Sequence, residues 1–451
     1  MVLLDSTTVR PVGKCGVDLL SRQGMASMMA SISVKHMLIS MALAWGMHAL
    51  PAWTSVINED EGAASSSLSG DAIRGEEGES EPQTAVDQAL PEAVYYRIDR
   101  QMQQAWHQHV RAVRAHWQDA SVSSAMEWVT YVDGMRIRRC VDFRNNQIDI
   151  TVPAVHSETG HGVDYSATGE RVEQQLRALL STTIEQALMA DPVFENVWPE
   201  LQQYAPITFS KELVLSELFS ESKPSDRAVA RLSQRLMAKA EVGFYQKVAN
   251  GSVNMSVKLD ERLTYTVPLP SDRLIRKARQ YRGLIVSSTE AFHVPTDLVY
   301  AIIHTESHFN PLARSPVPAY GLMQIVPSTS GRDASRVLFD HARLLSPSFL
   351  YDPQNNIKVG AAYIRLLYFN YFKAVQDPKS RLYCVIAAYN AGITAVARVF
   401  GDATAVDRVA PALNALSSQQ VLARLLESLP AQETRDYLKK VLARKSLYSR
   451  V

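Results

Sequence analysis

The strand-like alternation of LTYTVPLP stops at Pro270, and from Ser271 onward apolar residues recur at helical spacing nearly to the C-terminus. Side chains alternate faces with period 2 in a strand and 3.6 in a helix, so this switch divides the fold. With 451 residues the chain can hold two or three domains. The expectation is an α+β N-terminal domain over 91–270, followed by a mainly α domain over 271–451.

Within the first part, YYRIDRQMQQAWHQHVRAVRAHW carries Ile98, Met102, Trp106, Val110 and Val113 at helical intervals and predicts an amphipathic helix. Strand-like runs over Met135 to Phe143 and Gln147 to Val152 flank Arg144-Asn145-Asn146, a turn signal that predicts a hairpin. A long helix is expected from Gly169 to Met189, and SVNMSVKL with LTYTVPLP reads as a second strand pair. This region shows no metal cluster or phosphate loop.

Upstream, Lys35-His36 and the apolar run MLISMALAWGMHAL precede PAWTS, the pattern of an exported leader over 1–52. About fourteen apolar residues are few for a transmembrane helix. Met25, Met28 or Met29 would give that leader a more ordinary start. From 53 to 90, with SSSLSG and EEGESEPQ, the chain reads as a flexible acidic, Ser-rich tether. No cysteine follows the apolar run, so a lipid anchor there is not supported.

Lys+Arg 47 against Asp+Glu 46 leaves a net charge of +1, without the strong field expected of a nucleic-acid partner. Cys15, Cys140 and Cys384 are too few and too scattered for a disulfide framework or a zinc ribbon, and Cys140 and Cys384 read as separate buried thiols.

The segment YAIIHTESHFNP, Tyr300 to Pro311, poses the chemical question. Asp297 to Phe309 predicts a helix, with Leu298, Ile302 and Ile303 at helical spacing and Asn310-Pro311 as its stop. His304 and His308 then share a face as two surface histidines, and Glu306 lies about 200° around at roughly 100° per residue. The H-E-x-x-H zinc pattern sets its glutamate next to the first histidine, and this spacing does not match it, so no metal or cofactor is expected. Glu306 falls in the last turn, where the negative end of the helix dipole and any burial favour the protonated carboxyl that a general acid needs. By position alone a glutamate near a helix end is usually a solvated side chain, and only the residues downstream change that reading.

Three elements follow in order: GLMQIVPSTSG, AYNAG and ETRDYLKKV. Together with HTESHFNP they resemble the catalytic domain of the lytic murein transglycosylases, which has a goose-lysozyme-like fold. The hairpin and the LTYTVPLP strand before it are similar to a membrane-bound subgroup, type C, with an α+β domain ahead of the catalytic one. The resemblance covers roughly Ser271 to Val451.

It implies an enzyme acting on peptidoglycan glycan strands without a cofactor. Glu306 would serve as sole acid and base between N-acetylmuramic acid and N-acetylglucosamine, leaving a 1,6-anhydromuramyl product. Ser315 matches a serine near the catalytic glutamate, and reads equally as a turn residue before Pro316. Gln324 of the GLMQ signature can bond sugar hydroxyls or amides, with Gly321 allowing close backbone approach. Tyr389 matches a tyrosine that bonds the acid or the substrate; Asn390 reads as a turn or cap residue as well as a site residue. Tyr437 matches a tyrosine bordering the glycan groove, and reads equally as a core aromatic. The implied location is periplasmic, with outer-membrane or cell-wall complex association as a further expectation. A lysozyme-type hydrolase using Asp333, Asp340 or Asp352, and an inactive wall-binding protein, are the alternative readings.

Overall fold

The computed structural model describes residues 89–449, apart from 158–161, 196, 205–206, 246–260 and 317. The leader, most of the tether, Cys15 and the SVNMSVKL strand lie outside the described residues. What is described is mainly helical, with two small antiparallel sheets.

Strands β1 (Ala89–Leu90), β2 (Glu127–Val132), β3 (Ile137–Asp142), β4 (Gln147–Pro153), β5 (Glu241–Tyr245), β6 (Arg262–Pro268) and β7 (Leu344–Leu345) form two sheets. Five of them lie in the order β2-β3-β4-β6-β5, while β1 pairs with β7. The β3–β4 hairpin turns where the Asn pair predicts. Asp142 Oδ1 accepts from the backbone N–H groups of Arg144 (2.9 Å) and Asn145 (2.8 Å), and Asn146 takes the left-handed φ of 59° that asparagine tolerates. LTYTVPLP supplies β6, whose described partners are β4 and β5. Both its edges are therefore occupied by strands other than the predicted one.

The helices before Pro270 are α1 (Glu92–His116), α2 (Tyr165–Leu180), α3 (Ile184–Met189), α4 (Trp198–Leu201) and α5 (Asp226–Met237). The amphipathic α1 buries Ile98, Met102, Val110 and Val113, as its spacing requires. The single helix predicted over Gly169–Met189 is two. Asp164 caps α2 four residues earlier than expected, and Thr183 starts α3 with a capping box to Gln186, which diverts the backbone at Ser181–Thr183. Helix α2 packs on β4 and on α5.

Beyond Pro270 run α6 (Arg273–Gln280), α7 (Arg282–Phe292), α8 (Thr296–Glu306), α9 (Arg332–Phe339), α10 (Pro347–Tyr351) and α11 (Pro353–Leu366). After these come α12 (Pro378–Ala391), α13 (Ile393–Phe400), α14 (Val406–Asn414), α15 (Ser418–Ser428) and α16 (Gln432–Leu447). Six consecutive residues of α8, Leu298 to Ile303, are 0 % exposed. A helix buried on every side is a central element, and α7 and α16 pack directly on it. Such side chains each contribute about 1.5–3 kcal/mol on burial.

The hairpin turn and α6 are joined by buried charge. Arg273 donates to Glu217 Oε1 (3.0 Å), Asn146 Oδ1 (2.7 Å) and the Phe143 carbonyl (3.2 Å), and Lys277 reaches Ser216 Oγ (2.7 Å) and Glu212 Oε1 (3.0 Å). Removing one member would strand its partner's charge away from water. Cys140 and Cys384 are separate buried thiols, as the sequence predicts. Among the described residues no helix is long and apolar enough to cross a membrane.

Candidate active site

Helix α8 stops at Glu306, three residues before the predicted end at Phe309. Ser307 leaves helical geometry at φ −139°; its hydroxyl reaches back to the Ile303 carbonyl (3.1 Å) and across to the Leu322 carbonyl (2.8 Å). His308 and Phe309 then take left-handed φ of 50° and 60°. Such backbone costs roughly 1–3 kcal/mol per residue and persists only where surrounding contacts hold it. The helix is thus ended by long-range contacts rather than by Asn310-Pro311, and Glu306 is left partly exposed at its terminus.

The two histidines share a face, as their spacing predicts, but that face is inside the protein. His304 and His308 are 7 % and 8 % exposed, with rings 4.8 Å apart and nearly perpendicular. The expectation of surface histidines is corrected by α16, which covers them. Tyr448 Oη meets His304 Nδ1 at 3.0 Å, and Arg444 lies 3.3 Å from His308 Nε2. Burial, then the Arg444 charge, pushes His304 down to about 3; burial, then His304 and Arg444, pushes His308 down to about 2. Both are neutral at ordinary pH. Among the described residues, no group of three His, Cys, Asp or Glu side chains could hold a metal ion.

On the other side of α8, Tyr437 Oη donates to Glu306 Oε1 at 2.9 Å. Burial, then the Glu306 charge, drives the Tyr437 phenol far above its usual range, so it stays protonated and donates. Tyr389, 0 % exposed, donates to the Met323 carbonyl at 2.9 Å; after burial, the Glu306 charge is the next cause raising its pKa, which sets the two within electrostatic reach. Asn390 lies in the last turn of α12, not in a turn beyond it, and its Oδ1 accepts from Thr434 Oγ1 (2.8 Å). AYN and ETRDYL are thereby joined side by side next to Glu306.

GLMQ forms a tight reversal in which Tyr320 and Ile325 exchange backbone hydrogen bonds of 3.0 and 3.1 Å. Gly321 needs its φ of +72°, and a Cβ there would stand 2.4 Å from Asn356 Nδ2 and 2.5 Å from the Leu350 carbonyl. Gln324, buried and left-handed at φ 48°, turns its Nε2 to the Gly321 carbonyl at 3.0 Å. Met323 packs over Gly360 of α11. Ser315 is half-buried on the neighbouring loop, its N–H donating to the Ala319 carbonyl at 3.2 Å.

Sequence reasoning missed two residues. Glu433, in the first turn of α16, has a buried Oε2 with no hydrogen-bond partner among the described residues. Burial, then the Glu306 charge, lifts it from 4.5 to about 7. It stands within the quoted ETRDYLKKV segment, but only the fold sets it near the other carboxyl. Asn356 of α11 organises GLMQ: Oδ1 accepts from Met323 N (2.8 Å), and Nδ2 donates to the Tyr320 and Leu350 carbonyls (both 2.8 Å). No local pattern marks it.

Of the aspartates named as alternatives, Asp352 and Asp333 have side-chain partners and Asp340 is exposed. Asp352 caps α11, accepting from Asn355 N at 2.9 Å; Asp340 is the left-handed C-cap of α9; Asp333 interacts with Tyr371 and Arg336.

With this geometry in hand, the comparisons with known proteins are specific. The sequence model of the Transglycosylase SLT domain matches residues 283–409. Membrane-bound lytic murein transglycosylase C of Serratia proteamaculans is 39% identical over 186 residues, covering 41% of this chain and 51% of that protein. The chain therefore spans about half the length of that relative. The Salmonella arizonae protein of the same name is 28% identical over 338 residues, covering 74% of this chain and 85% of its own. The 70 kDa soluble lytic transglycosylase of Escherichia coli is 30% identical over 37% of this chain and 24% of its own, at a TM-score of 0.29. Residues 283–409 match the Transglycosylase SLT domain, and the chain is similar to the lytic murein transglycosylases.

Proposed function

We propose that this chain cleaves peptidoglycan glycan strands by intramolecular transglycosylation, with Glu306 as sole acid and base. The observation that carries this reading is the meeting of Tyr437 Oη with Glu306 Oε1 at 2.9 Å, at the exposed end of an otherwise buried helix. In this reading the proton in transit is supplied by the Glu306 carboxyl. It passes to the glycosidic oxygen between N-acetylmuramic acid and N-acetylglucosamine as the C1–O bond breaks. The substrate's acetamido oxygen stabilises the cation at C1. Glu306, now a carboxylate, takes the proton of the muramyl 6-hydroxyl, whose oxygen bonds C1 and closes the 1,6-anhydro ring. Water is not consumed.

Several features favour one working carboxylate over two. Glu433 holds its proton to about 7, so it is a poor base or nucleophile below neutrality. Asp352 and Asp333 have partners of their own, and Asp340 lies exposed at the end of α9. In this reading Ser315, Gln324, Tyr389, Asn390 and Tyr437 border the bound glycan, Gln324 and Tyr389 through the GLMQ backbone they hold and Asn390 through its bond to Thr434. The helical part takes a lysozyme-like fold, the α+β part from 91 to 270 is a separate domain, and the protein works in the periplasm, in association with the outer membrane.

The test is Glu306→Gln. It should abolish release of muropeptides from purified sacculi, a loss at the severe end of the roughly 10²–10⁴-fold typical of general acid catalysis, while sedimentation with sacculi persists. Activity surviving that change nearly intact would assign the chemistry to another residue.

A further inference from the structure

We propose that Arg444 is a positioning residue for Glu306: its guanidinium, steadied by the His308 imidazole, grips the backbone at the end of α8 and sets where the carboxyl projects. The inference rests on the reading of Glu306 as the acid.

Arg444 donates through NH1 to the His304 carbonyl at 3.0 Å, in the last turn of α8, and its NH2 lies 3.3 Å from His308 Nε2. A neutral His308 can accept that bond, and its low pKa keeps it neutral beside a cation. His308 and Phe309 are left-handed just past the helix end, and from that backbone the His308 ring reaches Arg444. Phe309, 0 % exposed, is locked among the rings of Tyr281, Tyr300, His304 and Tyr448. The Tyr448 ring stacks on Tyr300 at 5.1 Å, and its hydroxyl meets His304 Nδ1 at 3.0 Å. From the hairpin side, Asn310 Nδ2 donates to the Ala125 carbonyl at 3.2 Å.

Tyr437 and Arg444 stand seven residues apart on α16, two turns along one face. One helix thus holds Glu306 twice, by its carboxylate oxygen and by the backbone two residues before it. Displacement of an acid by about 1 Å is enough to cost on the order of 100-fold in rate.

The test measures kcat and KM for anhydromuropeptide release, with thermal midpoints, in the full chain and in Arg444→Met, Arg444→Lys and His308→Asn. Asparagine tolerates the left-handed backbone but lacks the ring that reaches Arg444. R444M and H308N should lower kcat by about 10- to 100-fold with KM little changed, R444K should recover part of the loss, and H308N should keep the wild-type midpoint. Should R444M fail to fold, H308N and R444K decide alone. Wild-type kcat in the folded variants, or losses that only follow the unfolded fraction, would overturn the positioning role. A wild-type protein releasing no anhydromuropeptide would overturn the acid reading and this inference with it.

Discussion

Tyr437 and Glu306, 131 residues apart in sequence, meet through a 2.9 Å hydrogen bond from phenol to carboxylate Oε1. The phenol holds that oxygen and ties the C-terminal helix to the end of α8. Tyr437→Phe keeps the buried ring and removes only the donor. A hydrogen bond to a charged group contributes about 1.5–3 kcal/mol, so the thermal midpoint should fall, and kcat should fall about 10- to 100-fold beyond what the unfolded fraction accounts for. Muropeptide release rates alongside a melting curve check this.

Glu433 gives a pH prediction. Its folded pKa of about 7 lies above its ordinary 4.5, so the folded state binds the proton more tightly than the unfolded chain does. Its contribution to stability is fully present below about 4.5 and is lost as pH rises through about 7. Glu433→Gln removes this dependence. The difference in midpoint between variant and wild type should therefore shift in the variant's favour as pH rises across that window, read from melting curves at matched ionic strength.

Gly321→Ala should unfold the GLMQ reversal. Its Cβ would meet Asn356 Nδ2 at 2.4 Å and the Leu350 carbonyl at 2.5 Å, on a backbone of φ +72°. Strain and overpacking together predict a loss of at least about 2 kcal/mol in a denaturant titration.

Asn356→Leu would take from the Met323 N–H and the Leu350 carbonyl the bonds that side chain gives them, and leave the Tyr320 carbonyl only its bond from Ile325 N–H. Each buried unpaired group costs about 1–3 kcal/mol, so stability should fall by more than any single bond implies. Activity should fall further than the folded fraction, because Met323 and Gln324 lose their fixed turn.

What the sequence made legible is what local chemistry determines. The Asn145-Asn146 pair marked its hairpin because the turn is built from Asp142, Asn145 and Asn146 themselves. Glu306 was found because its neighbours and the three later motifs lie in a recognisable order. The break in the long helix also had a local signal, Thr183 and Gln186 at capping-box spacing, overlooked beside the apolar periodicity. Other features depend on chain brought from far away. The end of α8 is set by Leu322 and Arg444, the burial of His304 and His308 by α16, and the raised pKa of Glu433 by burial and then by Glu306. No window around those residues contains their partners.

Digestion of sacculi in ¹⁸O water, followed by mass analysis of the released muropeptides, tests the central claim most directly. Capture of C1 by the muramyl 6-hydroxyl predicts 1,6-anhydromuramyl ends free of label. Reducing muramyl ends carrying ¹⁸O would contradict it.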